Sequence, residues 1–271
     1  MFRDSIGTVN VNTANLYLWL GRSIAWTNEL SPDVPTANVD TGISARNQME
    51  YLNRLFSADS ALAIPRIDWI SGTVYAQYSS SDNDLFSKNF YAMNSNSVYK
   101  CISNNGGVAS TEAPTGTQTG VIILADGYQW KFMFNLSVTM VTNFLSSQYI
   151  PVPVEEQKTA YQINIEESAT YSAGDPPGGH GKNAAKELGV NSLIVKKTVN
   201  LTSLNPFQHR QFGLILDPLS ISGPPAADAA YILGSGVDFD TMSGLLLTCT
   251  NHEVISSAID QTETIQLIIS F

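Results

Sequence analysis

The sequence predicts a mainly β protein, read as one unit over residues 1–271 with helix-bearing insertions near residues 30–62 and 172–190. Three observations point there. The dominant spacing of apolar residues is two, the signature of strands that bury one face. Helical signals are few and short. Long connections rich in Gly, Pro, Asn and Ser separate the apolar runs, among them SPDVPTANVDTG, NNGGVASTEAPTGTQTG, SAGDPPGGHG and ISGPPAADAA.

In chain order, Leu16, Leu18 and Leu20 alternate with Tyr17 and Trp19, which predicts a strand with large residues on both faces. Further strands are expected over Tyr75 to Tyr78, Ser97 to Ile102, Val121 to Leu124, Tyr128 to Leu136, Ile163 to Glu167, Ser192 to Thr202, Phe212 to Leu216 and Gly244 to Thr250. At the C-terminus Ile265, Leu267, Ile269 and Phe271 share one face, and Thr264, Gln266 and Ser270 the other, so the final strand is expected to be packed. ISARNQMEYLNRLFSAD predicts a helix with Ser44 as N-cap and Met49, Leu52, Leu55 and Phe56 at helical spacing, closed before Pro65. NAAKELG predicts a short helix between Asn183 as N-cap and Gly189, and Ser137 to Ser146 a weaker one.

Composition excludes several functions. The net charge is −10 with a pI near 4.6, and the longest basic run is Lys196-Lys197, so no nucleic-acid partner is expected. No stretch approaches 18 consecutive apolar residues, and MFRDSIGTVN lacks an apolar signal core, so no membrane partner and a cytosolic site of synthesis are expected. Cys101 and Cys249 are read as reduced, buried thiols. Charged residues are only 14%, while Ser, Thr and Asn supply 71 of 271 residues. A hydroxyl- and amide-rich surface of this kind suits a β protein that meets other proteins over large areas.

Catalytic signatures are absent: there is no GxSxG, HExxH, CxxC, P-loop or GxGxxG. His180, His209 and His252 have no ligand spacing, so no metal and no cofactor are expected. The adjacent pairs Glu155-Glu156 and Glu166-Glu167 point to opposite faces of a strand and cannot flank a sugar as a catalytic pair. Asp82, Asn83 and Asp84 lack the glycine and terminal glutamate of a calcium loop and read as an Asx-rich turn. The 11 Tyr, 11 Phe and 4 Trp read as core and interface anchors rather than a sugar platform.

Seven ordered segments carry a resemblance. They are LGRSIAWTNE, with Gly21, Arg22 and Trp26; AIPRIDW, with Pro65, Arg66, Asp68 and Trp69; VYKCIS with the following TEAPTG; ADGYQWKFMF, with Asp126, Gly127, Tyr128 and Trp130; QYIPVPVEEQ; FGLILDPL; and DQTETIQLIISF, with Asp260, Gln261 and Thr262. Together they resemble the dimeric baseplate wedge subunit of T-even-type contractile-tailed bacteriophages, the gene-eight product family, from about residue 16 to residue 271. The resemblance implies a layered β-sandwich whose long loops carry one or two short helices. It also implies a structural role without catalysis, as a homodimer bridging other baseplate wedge proteins in the virion, assembled in the host cytoplasm.

The signature residues also have physical readings. Gly21, Pro65 and Gly127 are expected to fix chain reversals. Arg66 and Asp68, at i and i+2, either form a partly buried ion pair or stand as two solvated charges. Two rival functions are a carbohydrate-binding β-sandwich module of a tail fibre or adhesin, and a glycan hydrolase of the tail.

Overall fold

The computed structural model describes residues 16–153, 187–200, 207–220, 230–232, 239–240, 243–257 and 262–270. Its elements in chain order are β1 Leu16–Gly21, helix α1 Val39–Asn47, β2 Met49–Arg54, β3 Ser60–Pro65, β4 Tyr91–Asn94, β5 Ser97–Ser103, β6 Val121–Ile123, β7 Gln129–Asn135, helix α2 Val138–Phe144 and β8 Tyr149–Pro151. There follow β9 Ser192–Asn200, β10 Phe207–Leu216, β11 Leu219–Ser220, β12 Ala230–Ile232, β13 Phe239–Asp240, β14 Leu245–Ser257 and β15 Thr262–Ser270. The chain is mainly β with two short helices, as the sequence predicts. It divides into two compact units: Met1–Thr8, Ala61–Ile194 and Ile268–Phe271 form one, and Val9–Ser60 with Val195–Leu267 the other.

The first unit is a sandwich. One layer is the sheet β4-β5-β7-β6, and the antiparallel pair β3–β8 lies opposite. Ile64 and Ile150 from the pair meet Met93, Val98, Met133 and Phe134 from the sheet in one core. Alternation sends Ala92, Tyr99, Cys101 and Trp130 to the other face, where Tyr75 and Tyr128 cover them. Both faces of this sheet are therefore buried, and aromatic edges fill it: Trp130 stacks on Tyr128 at 5.7 Å and meets Tyr75 edge-on at 5.2 Å.

The second unit is built on the five-stranded sheet β12-β2-β1-β10-β14, antiparallel at every pairing. β1 is its central strand and all six of its residues are buried. Tyr17 and Trp19 pack with Met49, Leu52, Ile215 and Ala45 of α1, which covers that face. β9 and β15 are hydrogen-bonded neighbours, and β15 shows the expected alternation: Ile265 and Leu267 are buried while Thr264, Gln266 and Ser270 are exposed.

Three local expectations are corrected. The helix lies at Val39–Asn47, capped by Asn38, whose Oδ1 accepts from Thr41 N at 2.7 Å; Ser44 is inside it, not at its cap. Met49 to Arg54 is strand β2, because it lies between β1 and β12 and buries both faces, so Met49, Tyr51, Leu52 and Asn53 form a run whose apolar members also match helical spacing. Tyr75 to Tyr78 joins no ladder. Tyr75 N donates to Tyr128 Oη, Ala76 N to Asn89 O and Tyr78 N to Cys101 O, so its polar groups go to three different places. The weak helix expectation near Ser137 holds as α2, with Ser137 Oγ accepting from Met140 N at 3.2 Å. β10 and β14 run longer than expected, to ten and thirteen residues. The expected strand at 163–167, the start of the Asn183 helix and Phe271 lie outside the described residues.

Candidate functional site

The signature residues gather at three places, and each place is a structural joint. In the second unit, Gly21 ends β1, where a Cβ would stand 2.0 Å from the Gln48 carbonyl oxygen, so only glycine permits that approach. Gly21 is still within the strand and not at the expected reversal. The left-handed backbone falls on the next residue, Arg22, with φ 63°, whose backbone N–H donates to Gln48 O while Nη1 donates to Gln48 Oε1 at 2.7 Å. Its guanidinium lies 3.6 Å from the centre of the Trp26 ring, a cation–π contact. Burial, and then the neighbouring Arg210, lower the Arg22 pKa against the pull of Glu29. Trp26 Nε1 donates to the His252 carbonyl at 3.0 Å.

Sequence reasoning missed the residues around that carbonyl. His209 and His252, 43 positions apart, meet with ring centroids 5.0 Å apart. β10 and β14 pair Gln211 with Asn251 but His209 with Ile255, so residues 252–254 bulge out of register, with the His252 ring against His209 and Phe212 of β10. His209 is fully buried and its Nε2 lies 2.9 Å from Glu263 Oε2. Arg210 Nε donates to Glu29 at 2.8 and 3.1 Å, and Nη1 to Ser23 O at 2.7 Å.

In the first unit, Pro65 ends β3 opposite Tyr149 and its carbonyl accepts from Tyr91 Oη at 2.7 Å. It lies within the β3–β8 pairing and not at a reversal, which corrects the sequence reading. Arg66 Nε meets both Asp68 oxygens at 3.1 and 3.0 Å, and Nη1 donates to Ser146 O at 2.8 Å. The ion-pair alternative therefore holds. With the side chains 27% and 47% exposed, the pair contributes no more than about 1 kcal/mol, and its role is to tie two loops. Trp69 N donates to Met93 O at 2.8 Å, and Nε1 to Ser110 Oγ at 3.2 Å.

Asp126 is the densest joint. Its Oδ2 accepts from Ser110 Oγ, Thr111 N and Glu112 N at 3.0, 2.9 and 3.0 Å, and its Oδ1 from Tyr128 N at 3.0 Å. Burial works to raise its pKa, but the four donors outweigh it and the net shift is downward. Gly127, at φ 82°, closes the β6–β7 reversal with its N–H on Leu124 O, as expected. Tyr128 Oη donates to Val108 O at 2.6 Å, and Trp130 is fully buried. Thr262 opens β15 in an exposed position; Asp260 and Gln261 lie outside the described residues.

A second buried charge site has no local sequence signal. Lys100 and Lys131 face each other across β5 and β7 and both are buried. Glu187 pairs with Lys100 Nζ, which also sits 3.8 Å from the centre of the Tyr78 ring. Burial lowers the Lys131 pKa, Glu187 raises it and Lys100 lowers it further. Opposed like charges destabilise a sheet, and the Glu187 carboxylate offsets that repulsion.

Among the described residues no group of three or more His, Cys, Asp or Glu side chains is placed to hold a metal ion. An open groove of about 690 Å³ between residues 35–46 and Leu246–Cys249 is lined by threonines, aliphatic residues, Asn38, Cys249 and Arg46, with no carboxylate or imidazole. Asp82 Oδ1 accepts from Asp84 N, so Asp82 to Asp84 form the expected Asx turn. Both cysteines are free thiols, Cys101 buried and Cys249 half-buried. No helix among the described residues is long and apolar enough to cross a membrane. His180, Glu155, Glu156, Glu166 and Glu167 lie outside the described residues.

No curated protein matches the chain. A family model described as bacteriophage T4, Gp8 matches residues 98–271, more than half of the chain. That span holds nearly all of β5, the strands β6 and β7, the Asp126 joint, the buried lysine pair and the C-terminal segment of the second unit, and the chain therefore belongs to the Gp8 family of structural phage baseplate wedge proteins.

Proposed function

We propose that the protein is a non-catalytic wedge subunit that works as a homodimer and bridges other wedge proteins of the tail baseplate, assembled in the host cytoplasm. The family match over residues 98–271 carries the reading. The chemistry of the described joints supports it: Arg22, Arg66, Lys100, Lys197, Arg210 and Asp126 each engage partners within the fold, as suits a load-bearing part. Trp19, Trp130, Tyr17, Tyr51, Tyr75 and Tyr128 are fully buried, so they offer no platform for a sugar.

Light scattering of the purified protein tests the dimer. The expected mass is twice the 29.4 kDa of one chain at micromolar concentration. Obligate dimers commonly bury more than about 2,000 Å², so dilution into the nanomolar range should leave the mass unchanged. A folded monomer at micromolar concentration refutes the dimer. Failure to enter a complex when mixed with the other wedge proteins of the same phage refutes the bridging role.

A further inference from the structure

We propose that His252 is an acid-sensitive latch: protonation at its Nε2 unseats the β14 bulge and releases the Trp26 loop, residues 22–30, that the bulge holds. The inference does not depend on the wedge reading.

The tautomer follows from the contacts. His252 Nδ1 lies 2.6 Å from Glu253 O, and a carbonyl only accepts, so Nδ1 carries the proton and Nε2 the lone pair. Nε2 is buried and has no hydrogen-bond partner among the described residues. A bare lone pair is tolerated there. A buried N–H⁺ without an acceptor is not.

The surroundings oppose the charge. The ring lies against His209, with centroids 5.0 Å apart, and against Phe212 at 5.1 Å. The titratable and charged groups described around it are His209 and Arg210 on β10, Glu263 on β15 and Glu253 beside it. Glu29 and Arg22 stand one contact further, through Arg210 and Trp26. Burial first, then His209 and Arg210, hold the His252 pKa below its ordinary 6.5, against the Glu253 carbonyl and Glu263. The closed form therefore takes up the proton less readily than an opened one. The latch is fully closed above about pH 6.5 and weakens as the pH falls below it.

The loop is fastened to the same residues. The His252 carbonyl accepts from Trp26 Nε1 at 3.0 Å, the Trp26 backbone N–H donates to Glu29 at 3.2 Å, and Glu29 holds Arg210. Residues 252–254 stand out of the β10–β14 register, so moving them breaks no paired position of that ladder. Opening frees a loop that already presents Ile24 and Leu30 to solvent at 67% and 80% exposure, and adds the Trp26 ring to that apolar surface.

The test follows the indole N–H resonance of Trp26, assigned with Trp26→Phe, in the isotope-labelled full chain from about pH 8 to about pH 5. The C2–H resonance of His252 is recorded in the same samples. The expected result is one transition shared by Trp26 and His252, with a midpoint below 6.5, while the Trp130 indole in the other unit stays fixed. In His252→Gln the Trp26 resonance should not move over this range. The proposal is overturned if His252 titrates while Trp26 does not respond, if the Trp26 transition persists in His252→Gln, or if Trp130 shifts with it as the whole chain unfolds. The shared midpoint in the wild-type chain decides the matter even if His252→Gln does not fold.

Discussion

Replacing Asp126 by Asn changes one charge and makes an acceptor into a donor. If the remaining oxygen keeps Ser110, the new amide faces the Tyr128 N–H, donor against donor. Tyr128 is fully buried, so the loss of its charge-assisted bond costs about 1.5–3 kcal/mol. The bond from the buried Ser110 hydroxyl falls from a charged to a neutral acceptor, roughly a further 1 kcal/mol. Thr111 and Glu112 are exposed, so their amides exchange a weakened bond for water at little cost. Asp126→Asn should therefore destabilise the first unit by about 2.5–4 kcal/mol at neutral pH. The sign with pH is fixed by the lowered carboxyl pKa. Its contribution is present above the ordinary carboxylate range and is lost as pH falls through the native value, so the gap between wild type and variant should narrow there. Urea unfolding followed by tryptophan fluorescence, at pH 7 and at several values below about 4, reads both effects from the midpoint with the slope unchanged. Equal midpoints at pH 7, or a gap that does not narrow in acid, would refute the account of Asp126 as a charged hub.

Two further outcomes are expected. Leu267→Asp should give insoluble or misassembled protein in size-exclusion chromatography, because it loses about 1.5–3 kcal/mol of side-chain burial and adds a buried charge, whereas Gln266→Lys on the exposed face should elute as wild type. Burial pushes the thiol pKa of Cys101 up to about 12 and of Cys249 up to about 11, so neither should react with a chromogenic disulfide reagent at about pH 8 until urea is added; fast labelling of the native protein would show that one thiol is not shielded.

Strands that bury one face were legible. The alternation at Thr264 to Ser270 states its own register. β2 was misread because both its faces are buried, and a run such as Met49, Tyr51, Leu52 has no period to read. The Asn38 cap lay inside a stretch rich in Pro and Asn, where turn and cap signals are the same residues. The joints were legible as words but not as functions. GRSIAW and ADGYQW stood out, yet which residue bears the positive φ and which the close approach depends on Gln48 and Asn105, far along the chain. His209 with His252, and Lys100 with Glu187, are products of strand register and tertiary docking, so no local pattern announces them.

The central place of β1 in its sheet sets a timetable for synthesis. Leu16 pairs with Leu216, and β1's other neighbour, β2, is complete at Arg54. At a translation rate of roughly 5–20 residues per second, β1 and β2 leave the ribosome about 8–30 s before β10 does. During that interval they form at most a two-stranded ribbon, which is marginal in water, with Trp19 and three leucines uncovered and both edges open, since β12 is made later than β10. The polypeptide made between them, Ala61–Ile194, belongs to the other unit and has most of its own core by then. The early ribbon is thus the stretch most in need of a chaperone, and ribosome-bound chains stalled before residue 207 should capture one through residues 16–54, whereas chains released after residue 257 should not.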